Sequence, residues 1–88
     1  MINEERFRIF ADLYRAKLAE AVRDFPGDYT WGKTATVDSV ADRMLATIKT
    51  EGIRRVNKDG RAFKATCRTL GIAHTYKAID AYLAGGTT

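Results

Sequence analysis

Arg61, Lys64 and Arg68 recur at three- and four-residue steps, a spacing that in a helix lines all three on one face. A face of this kind can meet phosphate, or be no more than a solvated basic surface. Arg54, Arg55 and Lys58 precede them and His74 and Lys77 follow, so the chemistry within reach of this stretch is electrostatic capture of a polyanion, with nucleic acid the commonest. Two reactive side chains lie in the same stretch, Cys67 and His74. They stand seven residues apart and lack the two further ligands a structural zinc site needs. Cys67 falls between Phe63 and Leu70, which predicts a buried, small apolar residue rather than a nucleophile, and His74 reads as a cap or surface residue near a helix start. The carboxylates are scattered at helical spacing from cations, as Glu4 is from Arg8, and Gly85-Gly86 follows no strand that would make it a phosphate loop. Neither catalysis, a metal nor a cofactor is expected.

Charge is distributed unevenly behind these residues. Residues 1–51 carry 8 Lys+Arg against 9 Asp+Glu, a net −1, while residues 52–88 carry 7 against 2, a net +5. An anionic partner is therefore expected for the C-terminal part. With 88 residues, 45% hydrophobic, 30% charged and a single proline, the chain predicts one compact helical domain over residues 1–84, followed by a flexible tail at 85–88. The lone cysteine, the acidic start and the lack of any apolar run of membrane-spanning length predict a cytoplasmic protein without membrane contact.

The elements that must position the cations follow from periodicity. Asn3 caps a first helix from about Glu4 to Asp24, whose stripe runs Phe7, Phe10, Tyr14, Leu18, Ala21, Phe25. Pro26-Gly27 suits the centre of a type II turn. A second helix spans Val37 to Glu51, opened by Thr36 or Thr34 and closed by Gly52 in the left-handed position, with Val37, Val40, Ala41, Met44, Leu45 and Ile48 buried and Asp38, Asp42, Arg43, Lys49 and Thr50 in water. Ile53 to Gly60 is a basic connector, too short to distinguish an extended segment from a hairpin, with Asp59 as cap of a third helix. The expected architecture is all-α, a compact four-helix domain with a C-terminal helix-turn-helix-like pair.

RAFKATCRTL-G-IAHTYKAIDAYL, residues 61–83, resembles the helix-turn-helix family in its two short helices joined at Gly71, with Cys67 small enough for close helix approach and Leu70 and Ile72 flanking the bend. The family's inward positions on the second helix fall on Lys77 and Asp80, whereas Tyr76, Ile79 and Leu83 form the apolar stripe, one residue out of phase. A longer turn at Ala73-His74 would absorb the difference. The outward face then holds His74, Lys77, Ala78 and Ala81, a weak reader of bases, and the other cations would contact phosphates. LGIAHTYKAIDAYL also resembles small uncharacterised proteins of bacteriophages and prophages, which implies a phage regulator or host-modulating accessory protein.

A protein partner is the second expectation. Ile2, Ile9 and Leu13 lie on the flank of helix one opposite its main stripe, and Phe25, Tyr29 and Trp31 cluster in the loop after it. The flank awaits the C-terminal segment, a second copy in a homodimer, or an acidic protein partner steered by the basic stripe. The aromatics close one end of the core, or serve as a base-stacking platform or interface hot spot.

Overall fold

The structure, a computed structural model, describes residues 2–32 and 34–86. Four helices follow in order among them: α1 (Glu4–Asp24), α2 (Val37–Glu51), α3 (Arg61–Leu70) and α4 (Tyr76–Leu83), with short 3-10 turns at Pro26–Asp28 and Ile53–Arg55 and no strand. The domain is all-α, as the periodicity predicts.

Each helix start has a local cause. The Arg6 N–H donates to the Asn3 side chain at 3.0 Å, with Glu4 and Glu5 in the first turn of α1. At α2, the Ser39 N–H donates to Thr36 Oγ1 and the Thr36 N–H to Ser39 Oγ, a reciprocal box in which serine replaces the usual glutamate. Thr75 caps α4 by accepting from the Ala78 N–H. Gly71 ends α3 at φ 72°, ψ 27°, the left-handed conformation a glycine tolerates; its N–H donates to the Arg68 carbonyl and that of Ile72 to Cys67, closing a Schellman motif.

α1 is the spine, with α2 and α3 packed along it and α4 against its start and the second 3-10 turn. Phe10, Tyr14 and Leu18 of α1 meet Ala41, Leu45 and Ile48 of α2, Ile53, Ala62, Phe63 and Cys67 of the connector and α3, and Ile79, Tyr82 and Leu83 of α4 in one core. Three rings lie at its centre: Tyr14 is 5.0 Å from Phe63 and 6.4 Å from Phe10, and Phe10 is 5.8 Å from Phe63. Ion pairs tie α1 to α2, Arg15 to Asp38 and Asp42, and Lys49 to Glu4 at 3.2 Å. Glu4 thus finds its cation on a neighbouring helix rather than at Arg8.

Several local expectations are corrected. Pro26–Asp28 is a 3-10 turn, and Gly27 lacks the positive φ of a type II centre. Gly52 has the positive φ, 95°, that a glycine tolerates, but its ψ of 162° lies outside the αL well. The connector forms a 3-10 turn, burying Ile53, and not a hairpin. Gly60 precedes α3 in place of Asp59, whose carboxylate pairs with Lys58 at 3.1 Å. Phe25, the presumed end of the α1 stripe, lies past the helix and is 44% exposed. In the segment expected as a tail, Gly85 and Gly86 donate to the carbonyls of Tyr82 and Ala81, and Arg6 donates to the Gly86 carbonyl; residues 87 and 88 lie outside the described ones.

The same closure divides the second flank of α1. The Asn3 N–H donates to the Leu83 carbonyl at 2.7 Å, Arg6 lies 4.6 Å over the Tyr82 ring, and Ile2 packs onto the core. Leu13 is half-buried outside the core, and Ile9 is 41% exposed. The C-terminal segment therefore covers the start of the flank and leaves Ile9 to solvent.

Candidate nucleic-acid interface

α3 buries Ala62, Phe63, Thr66 and Cys67 and turns Arg61, Lys64 and Arg68 outward. Thr66 is fully buried, yet its hydroxyl donates to the Ala62 carbonyl at 2.7 Å, so the helix holds its core face without an unpaired polar atom. The three cations border a groove of about 310 Å³ between α3 and the end of α1. They do not carry equal free charge. Arg61 donates from Nε to Asp28 at 3.2 Å, with a second nitrogen 3.1 Å from the same oxygen, and its guanidinium lies 3.8 Å over the Phe25 ring. Lys64 and Arg68, four residues apart and about 6 Å along the axis, have no carboxylate within 4 Å among the described residues. Glu20 and Asp24 also line the groove, engaged by Lys17 at 3.4 Å and Arg23 at 3.0 Å.

The remaining cations disperse. Arg54 and Arg55 sit exposed on the second 3-10 turn, and Arg55 lines a different groove, with Trp31 and Met44, that shares no residue with the first. Lys58 is 5.1 Å over the Tyr76 ring, paired with Asp59, and its backbone carbonyl is bound by His74 Nε2. Tyr76 donates to the Val56 carbonyl at 2.6 Å. Lys58, His74 and Tyr76 thus form a clasp between connector and α4. His74 does not cap α4, and its Nε2 is taken by the Lys58 carbonyl.

Gly71–Thr75 makes a five-residue connection, so the second helix begins at Tyr76 rather than beside Gly71. The apolar stripe lies where its spacing puts it, with Ile79 and Leu83 buried and Lys77 and Asp80 exposed. α4 makes its main contacts with α1 and the second 3-10 turn, and shares the one core with α3. Its solvent side offers Lys77 beside Asp80 and Ala81, which cannot discriminate bases by paired donors.

Cys67 is 1% exposed, and burial pushes its thiol up, partly opposed by the Lys58 charge. It belongs to the core. Among the described residues no three potential ligands gather around a metal position, and no helix is long and apolar enough to cross a membrane.

Of the loop aromatics, Tyr29 and Trp31 meet edge to face at 5.5 Å and pack partly on the core, while Phe25 stands apart under Arg61. Asp28 has no signal in the sequence, because its bond to Arg61 spans 33 residues and no local periodicity marks it. Arg43 has none for a similar reason, since nothing in α2 tells that the connector runs alongside it. In comparison with known proteins, the chain matches no family model, no curated sequence and no solved structure.

Proposed function

We propose that the protein binds the phosphate backbone of nucleic acid, duplex DNA foremost, through the exposed face of α3, as a small regulator of the phage type that its C-terminal segment resembles. The observation that carries this reading is the pairing state of the α3 cations: Lys64 and Arg68 face solvent one turn apart without a carboxylate, and Arg61 is held beside them by Asp28 and Phe25. Contacts of this kind position a protein on a duplex and give affinity without sequence discrimination. Two phosphate contacts, from the unpaired Lys64 and Arg68, correspond to a log–log salt slope of about −1.8, so affinity falls about 12-fold between roughly 50 and 200 mM salt. Fluorescence anisotropy with labelled random-sequence duplex tests this. The Lys64→Glu/Arg68→Glu protein is expected to lose binding while keeping its helical circular dichroism; undiminished affinity in that variant refutes the reading.

A protein-partner reading has its own observation, the exposure of Ile9 and Phe25. A homodimer formed across the Ile9 side of α1 predicts a concentration-dependent mass in sedimentation, abolished by Ile9→Glu. A monomeric mass at micromolar concentration eliminates the dimer.

A further inference from the structure

The larger groove, about 620 Å³, runs between α2 and the connector, away from the α3 cations. Its floor is apolar. Trp31, Val40, Met44 and Val56 each rest one side on the core and turn another to the groove. The polar side chains on its walls are mostly occupied: Ser39 belongs to the α2 capping box, Thr47 donates to the Arg43 carbonyl at 3.0 Å, and Asn57 accepts from the Asp59 N–H at 2.9 Å. Arg43 and Arg55 are the exceptions. Both are exposed, neither has a carboxylate within 4 Å among the described residues, and no described residue lining the groove is acidic.

We infer that this groove docks an acidic amphipathic segment of a protein partner, its aliphatic side chains on Trp31, Met44 and Val56 and its carboxylates on Arg43 and Arg55. Tryptophan, methionine and arginine are the residue types that interfaces concentrate, and an apolar floor flanked by unpaired guanidinium groups complements carboxylates set beside apolar side chains. An open trough does not enclose a small molecule as a ligand pocket does. A nucleic-acid strand is a poorer fit, because base stacking needs free aromatic faces, whereas three of the four floor residues are aliphatic and Trp31 is engaged edge to face by Tyr29.

Trp31 is the sole tryptophan, so its emission reports the groove directly. A random peptide library is selected on the immobilised protein, and the recovered peptides are titrated against Trp31 fluorescence. The expected binders pair Asp or Glu with Leu-type residues, shift the emission saturably and weaken with salt. Arg43→Glu/Arg55→Glu should lower their affinity by about tenfold or more, with unchanged circular dichroism, and Lys64→Glu/Arg68→Glu should leave it unchanged, which separates this site from the phosphate-binding face. The inference is overturned if no peptide shifts Trp31, if the binders are basic or purely polar, or if a single-stranded oligonucleotide shifts the emission more tightly than any peptide. A Trp31 shift on concentrating the protein alone would overturn it too, by placing a second copy in the groove.

Discussion

Titrating Tyr14 tests the packing that holds the α3 face in place. The residue is 3% exposed, forms one corner of the triangle of rings with Phe10 and Phe63, and has its phenol pushed up from 10.0 to about 12, first by burial and then by the neighbouring Tyr29. The folded chain therefore holds this proton more tightly than the unfolded chain. The resulting stabilisation is fully present below pH 10, shrinks as the unfolded phenol ionises, and is lost as the pH rises through about 12. A difference of two units corresponds to at most about 3 kcal/mol. Urea unfolding followed by circular dichroism from about pH 9 to about pH 12 measures this loss in wild type and in Tyr14→Phe, which keeps the ring and removes the proton. The variant should escape that part of the alkaline destabilisation, so that the two stability curves converge or cross with rising pH. Parallel curves would show that the Tyr14 hydroxyl is solvated and that the α1–α3 contact is looser than the structure describes.

Three further outcomes follow from the core and its edges. Phe63→Ala removes a ring that is 1% exposed and touches both other central aromatics, so it should cost about 3–5 kcal/mol in urea unfolding; a loss below about 1 kcal/mol would contradict the packing. The Cys67 thiol, buried and pushed up, should react with a disulfide reagent only as fast as the protein opens, and a native rate equal to that of a small free thiol would refute its burial. Tyr76→Phe removes the hydroxyl that bonds the Val56 carbonyl and should cost about 1 kcal/mol, and an unchanged stability would show that this bond does not hold α4 to the connector.

What the sequence disclosed was what local periodicity and capping control. Asn3 and Thr36 mark the starts of α1 and α2, Gly71 marks the end of α3, and the stripe of Ile79 and Leu83 points inward as its spacing requires. The α3 cations face outward for the same reason. The losses come from contacts distant in the chain. Nothing in the local spacing signals that the His74 ring meets the Lys58 carbonyl sixteen residues earlier, or that the Lys58 ammonium lies over the Tyr76 ring. Arg55 counted with Arg61 because the two are close in sequence, yet the turn between them directs Arg55 to the α2 groove. Phe25 continued an arithmetic stripe past the residue where Pro26 stops the helix, and the ring became a platform for Arg61 instead.

Amide chemical-shift mapping by NMR would locate the phosphate contact on the protein. Titrating the labelled protein with a short random-sequence duplex at low salt should shift the α3 amides from Arg61 to Arg68 and their neighbours at Asp28, leave Trp31 and Val40 to Met44 unmoved, and reverse on adding salt. Shifts confined to the Trp31 groove, or none at all, would contradict the assignment of α3 as a nucleic-acid surface.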